Sequence, residues 1–176
     1  IIFSSRRYTY LCLITGFFLF CGMGLQQYAL QVSLVSNVAF LSTLYVPIVA
    51  LISKFIFKRQ LHWVMWIAIL LCLYGSYLLS ANQSLEIQKS DSLLFIAALS
   101  FALHIIFIDI FMKELNSPFI FGSVQYFIVF LFSLMLALMF ENPDLKNIRI
   151  EWFEILFTGI VSAGIGYTLQ IIAQQK

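Results

Sequence analysis

The sequence predicts an all-α integral membrane protein with six transmembrane helices. Three observations carry that prediction. The 176 residues are 62% hydrophobic and only 10% charged, where an ordinary soluble domain carries roughly 25% charged residues. Uncharged runs occupy 8–53, 60–85, 92–108, 115–140 and 155–175, and roughly 20 helical residues cross a hydrocarbon core. Stretches such as "IAILLCLYG" lack the alternation of a lipid-facing strand, so their backbone groups must pair within helices.

The same arithmetic excludes other classes. A soluble enzyme domain of this length could not hide so much apolar surface, and a disordered chain would not carry it. The net charge of +2 includes no basic run able to track phosphates, which excludes nucleic acid as a partner. Cys12, Cys21 and Cys72 are odd in number and sit in apolar stretches. They give neither a disulfide framework nor a metal-ligand spacing, so no metal and no cofactor is expected.

The elements follow in order. The first run, 8–53, is too long for one span, and Gln31-Val32-Ser33-Leu34-Val35-Ser36-Asn37 interrupts it with polar residues. It divides into helices near 10–30 and 36–57, with Ser36 or Asn37 as the N-cap. The remaining spans are expected near 62–80, 93–112, 118–140 and 155–174. Ser117-Pro118 reads as an N-cap followed by proline at the first helical position. Asn142-Pro143-Asp144 reads as a turn. Little chain is left for a soluble domain.

Lysine and arginine set the orientation. One set of helix ends holds Arg6, Arg7, Lys54, Lys58, Arg59, Lys113 and Lys176; the other holds Lys89, Lys146 and Arg149. The first set is assigned to the cytoplasm, and the acidic loop over 141–154 then faces outward. Trp63, Trp66 and Trp152 fall where interfacial anchors or ordinary lipid contacts are expected.

An internal repeat adds topology. Gly22, Leu25, Gln26, Ala29 and Gln31 recur as Gly166, Leu169, Gln170, Ala173 and Gln175 at an offset of 144. Thr15-Gly16 and Thr158-Gly159 precede the two copies, one residue out of register. The copies lie five spans apart, and an odd number of spans reverses direction, as in inverted-repeat carriers. On this reading residues 1–80 are the remainder of a first five-helix repeat, 81–92 an outer inter-repeat loop, and 93–176 the start of a second repeat. Two repeats of this length make a parent of about 290 residues and ten helices, of which this chain, starting at Ile1, is expected to hold the third to the eighth.

At this level the chain resembles the EamA-type members of the drug/metabolite transporter superfamily. The residues that carry the likeness are "GLQQYALQVSLVSNVAFLSTLYVPIVALI" at 24–52, "WIAILLCLYGSYLLS" at 66–80, "AALSFALHIIFIDIF" at 97–111 and "GIGYTLQIIAQQK" at 164–176. The Ser-Asn-x-Ala-Phe-Leu segment followed by Tyr-x-Pro is its most specific part. The resemblance implies a ten-helix fold of two inverted five-helix repeats. It implies a permease that exports small metabolites such as amino acids across the bacterial inner membrane, and no enzyme. Two departures stand out: Lys58-Arg59-Gln60 where the family often has an acidic residue in a "GE"-like turn, and Phe101 where tryptophan is frequent.

Polar side chains inside spans are costly, so they mark bundle interiors or wet cavities. Gln26, with its repeat partner Gln170, is a candidate cavity residue; helix–helix hydrogen bonding is the competing reading. Asn37, Thr43, Tyr45 and Pro47 share one expected helix. Pro47 removes a backbone donor and would free the Thr43 carbonyl, either to bind substrate or to act as a kink satisfied locally. Asn37 is equally readable as a cap. His104, one turn after Ser100, could couple transport to protons or act as a neutral hydrogen-bonder. Gln125 and Tyr126 are weaker candidates for the cavity wall. Asp109 and Lys113 read as an interfacial ion pair, and the span glycines as sites of close helix packing.

The function expected from these features is a secondary carrier working by alternating access around a central cavity. The partners expected are a small-molecule metabolite and the lipid bilayer, with a homodimer left open. The rival readings are a nucleotide-sugar carrier on the same fold and a non-transport assembly or sensor subunit.

Overall fold

A computed structural model describes residues 6–80, 91–112, 118–141 and 145–174. Every regular element among them is helical: α1 (Arg6–Val32), α2 (Val35–Ser42), α3 (Tyr45–Phe55), α4 (Trp63–Ser80), α5 (Asp91–Met112), α6 (Pro118–Phe140), α7 (Leu145–Ile150), α8 (Trp152–Phe157), a π-helical segment π1 (Thr158–Tyr167) and α9 (Thr168–Gln174). Five stretches are long and apolar enough to cross a membrane: Tyr8–Val32, Val35–Phe55, Ser92–Phe111, Pro118–Phe140 and Trp152–Gln174. Trp63–Gly75 in α4 is a shorter apolar helix. Large apolar side chains such as Leu70, Leu71, Leu138 and Phe140 stand exposed on these helices. Soluble monomers rarely leave so much contiguous apolar surface open; helices apolar on all faces suit lipid.

The six expected spans are all helical, with differences in detail. The 36–57 span is two helices. α2 ends at Ser42, and two tight turns follow, in which Leu41 O accepts from Leu44 N–H at 3.2 Å and Thr43 O accepts from Val46 N–H at 3.1 Å. Pro47 is therefore the third residue of α3, where the first-turn N–H groups have no intrahelical partner anyway. This corrects the expectation that proline frees the Thr43 carbonyl. Neither Ser36 nor Asn37 caps α2: its N-cap is Leu34, in an extended conformation with no side-chain cap bond. The last span begins at Trp152, not 155, and the outer loop contains the short helix α7. The expected cap at Ser117, the turn at 142–144, the 81–90 part of the inter-repeat loop and Lys113 lie outside the described residues.

The chain divides into two compact units, Ile1–Phe20 with Phe107–Lys176, and Cys21–Ile106. In the first, Tyr8, Cys12, Ile108, Phe121, Ile128 and Ile171 form a buried cluster with Val124 and Phe132 packed against it. Phenylalanine rings extend it: Phe18 stacks on Phe107 at 5.4 Å, and Phe20 on Phe132 at 5.2 Å. In the second, Ala29, Val38 and Leu94 form a smaller buried cluster with Leu41 against it.

Small residues set the helix approach at two places. A Cβ built on Gly22 would lie 2.9 Å from the Phe101 ring, and one on Gly16 would lie 2.8 Å from Ile128. Gly24, Gly75 and Gly159 have open space around that position, so close packing explains only part of the glycine content.

The end of α3 shows the consequence of the Lys58-Arg59-Gln60 sequence. Lys58 has φ 51°, a left-handed conformation that costs an L-residue roughly 1–2 kcal/mol. That turn lets Arg59 N–H reach back to Ser53 O at 3.1 Å. The Lys54 ammonium lies 5.0 Å from the Trp66 ring, tying α3 to α4 at the same end.

Two predictions follow from this packing. Gly22→Ala should lower thermal stability in detergent by about 1–3 kcal/mol through overpacking on Phe101. Gly24→Ala should leave stability unchanged or raise it by up to about 1 kcal/mol through helix propensity. At the turn, Lys58→Gly should preserve or raise the melting temperature and Lys58→Val should lower it, because a β-branched side chain tolerates positive φ worst.

Candidate functional site

Six of the eight candidate residues fall in the Cys21–Ile106 unit: Gln26, Asn37, Thr43, Tyr45, Pro47 and His104. α1 presents Gln26 half-buried, and its Nε2 donates to Ser42 Oγ on α2 at 2.9 Å. The glutamine amide thus takes part in a bond between helices. Asn37 lies on the buried side of α2, 3% exposed, next to Val38 of the core cluster. Thr43 Oγ1 donates to Phe40 O at 2.7 Å, so its hydroxyl serves the α2–α3 break. The Tyr45 ring, at the start of α3, lies 6.3 Å from the Phe101 ring of α5.

α5 supplies the most enclosed titratable side chain of this unit. His104 is 1% exposed, and Ser100, one turn earlier on the same face, is also buried. Ser100 Oγ donates to Ile96 O at 2.9 Å within its own helix. The surrounding α5 positions are apolar, with Leu94, Ala97, Ala98 and Ala102 buried. A neutral imidazole offers one donor and one acceptor in such a place.

The same unit holds a cavity of about 450 Å³, within the range of small-molecule sites; of the six candidates Tyr45 belongs to its wall, and Gln26, Asn37, Thr43, Pro47 and His104 do not. Tyr45 and Val49 of α3, Met65, Ile69 and Cys72 of α4, and Ile105 of α5 contribute to its wall. Among the described residues no charged side chain lines it. Such a wall takes up apolar or aromatic groups and leaves orientation to a few hydroxyls.

Gln125 and Gln170 fall in the other unit. Gln125 is 1% exposed on α6, and Gln170 is half-buried on α9. One turn of α6 near Gln125 reaches π1: Tyr126 Oη donates to Ala163 O at 3.0 Å, and its ring meets Tyr167 edge-on at 6.4 Å. Thr168 Oγ1 donates to Gly164 O at 2.6 Å.

Ser42 and Thr168 were not legible as candidates. Ser42 gains its place only through the crossing of α1 and α2, which no spacing reveals. Thr168 carries a signal that could have found it, because it stands where the first copy of the repeat has Gly24. Among the described residues no group of three His, Cys, Asp or Glu side chains comes together to hold a metal.

Comparison with curated proteins and with solved structures gives no match. A family model described as the EamA-like transporter family matches residues 2–81 and 88–176. Members of that family are membrane transporters of the drug/metabolite superfamily rather than enzymes. With nearly the whole chain matched and its spans helical and apolar, this chain belongs to the EamA-like transporter family.

Proposed function

We propose that the chain forms part of a secondary carrier that exports small, weakly charged metabolites, such as amino acids or related compounds, across the bacterial inner membrane. Its mechanism is alternating access, with two inverted repeats rocking around a cavity near the bilayer midplane. On this reading residues 1–80 are the remainder of the first five-helix repeat and 93–176 the start of the second, joined by an outer loop at 81–92, and the carrier has ten helices, of which these are the third to the eighth. The break between the two family-matched stretches, 82–87, falls in that loop and supports the division. The basic ends at Lys54, Lys58 and Arg59 face the cytoplasm on this reading.

One observation carries the substrate class. The Cys21–Ile106 unit combines an uncharged cavity with buried Asn37 and His104 and the Gln26–Ser42 pair. The Tyr45 ring in the cavity wall suits an apolar side chain, and the buried amide, imidazole and hydroxyl groups elsewhere in the unit are the proposed hydrogen-bond partners of polar substrate groups. Gln125 and Gln170 are proposed as the second repeat's contribution. A nucleotide-sugar cargo would need basic side chains in the wall, and the described residues that line the cavity include none. The working unit includes the bilayer and is compatible with a homodimer.

The test is export of a panel of amino acids from cells carrying the full-length protein. Gln26→Leu and His104→Leu are expected to reduce export by at least about tenfold, the loss of one buried hydrogen bond that strengthens during transport. Gln27→Leu, at an exposed neighbour, is expected to export normally. Parent-level export by both Gln26→Leu and His104→Leu would falsify the site. His104→Gln keeps a donor and an acceptor without titrating. Its expected outcome is retained export with an unaltered pH profile, because the site uses the neutral ring.

A further inference from the structure

The two copies of the internal repeat differ by one residue, and the difference falls inside π1. In the first copy, Gly16 stands six positions before Gly22; in the second, Gly159 stands seven positions before Gly166. The first copy lies within regular α1. The second lies in the ten residues Thr158–Tyr167, which begin at the threonine of the Thr-Gly pair and end one residue past Gly166. A bond from residue i to i+5 encloses one residue more than the α-helical i to i+4 bond, so a wide turn takes in an extra residue without ending the helix. In an unbroken α-helix the same residue would rotate everything after it by about 100°.

We infer that π1 stores the extra residue of the second copy, so that Gln170 keeps the facing relative to Thr158 that Gln26 has relative to Thr15, and that Tyr126 and Thr168 latch the stored form through their hydroxyls. This rests on the inverted-repeat reading proposed above. The wide-turn geometry shows in the glycines: a Cβ on Gly164 would lie 3.3 Å from Gly159 O, and one on Gly166 would lie 3.8 Å from Val161 O, each pair five residues apart. The latch shows in two adjacent carbonyls, Ala163 O held by Tyr126 Oη and Gly164 O held by Thr168 Oγ1. The first copy has Gly24 at the position of Thr168, so this hydroxyl occurs only in the copy that carries the extra residue. Thr15 makes the same four-residue back-bond to Leu11 O at 2.8 Å inside regular α1, so what sets π1 apart is the second hydroxyl, Tyr126, that reaches Ala163 O from α6. Release of the latch would loosen the wide turns of π1 and the hold on Gln170 that follows them.

The test is a pair of single-residue deletions in the full-length protein. Ile160 and Phe17 are both exposed and both lie between the Thr-Gly pair and the next repeat glycine. Deleting Ile160 is expected to leave the melting temperature in detergent close to the parent's, with slower amide hydrogen exchange over 159–168 as the segment becomes α-helical. Deleting Phe17, where no residue is stored, is expected to cost most of the folded protein. Equal damage by the two deletions overturns the stored-residue inference. The latch has its own arm: Tyr126→Phe and Thr168→Val are each expected to speed exchange over 163–168 by about fivefold, and to have no such effect once Ile160 is deleted. Unchanged exchange in both substitutions overturns the latch. None of these readouts depends on transport, so a failure here is distinct from a failure of the carrier reading.

Discussion

Backbone carbonyls that leave the helical ladder inside a membrane have no water to turn to, and the irregular parts of this chain depend on how that need is met. Hydroxyl side chains meet it. Thr43 covers Phe40 O where α2 stops, and Tyr126 and Thr168 cover Ala163 O and Gly164 O where π1 returns to α9. Thr15, Ser100 and Ser123 donate to carbonyls three or four residues back in the same way. The last three sit in regular helix, where such a bond adds a second donor to a carbonyl and loosens the turn slightly. The first three act at breaks, where a lost bond costs most in hydrocarbon; at Phe40 O the Thr43 hydroxyl adds to the bond from Thr43 N–H at 3.2 Å.

Association between the helices has a different source. Lipid tails are as apolar as the side chains, so burial gives little drive, and contact depends on shape and a few polar bonds. Gly16 and Gly22 admit Ile128 and Phe101 against bare backbone, and stacked phenylalanines fill the space beside the Tyr8–Ile171 cluster. The Gln26–Ser42 bond joins two helices that are consecutive in sequence. It is a modest contact that a competing donor or acceptor could replace.

Helix content and span positions were legible in the sequence because both follow from charge, which lipid penalises without regard to tertiary context. The 118–140 span matched α6 at both ends for that reason. What escaped was local backbone form. Proline at position 47 suggested a freed carbonyl, but the chain broke the helix four residues earlier and placed the ring in a first turn instead. The polar run 31–37 located the α1–α2 break, yet Leu34 became the cap, since side-chain capping is one way among several to close an N-terminus. The candidate residues, Pro47 apart, are polar or hydroxyl-bearing side chains in apolar helices, which a sequence displays one by one. Their grouping was not legible, because the partners of Gln26 and Tyr45 are set by helix crossings, and spacing along one helix carries no information about those.

The contact between Gly22 and Phe101 also bears on movement. Interlocked side chains act as teeth: one helix can shift along another only by lifting over each ridge. A glycine removes the tooth at that level, and a flat ring faces a smooth stretch of backbone. At that level α1 presents no side chain of its own, so the Phe101 ring has no ridge to lift over.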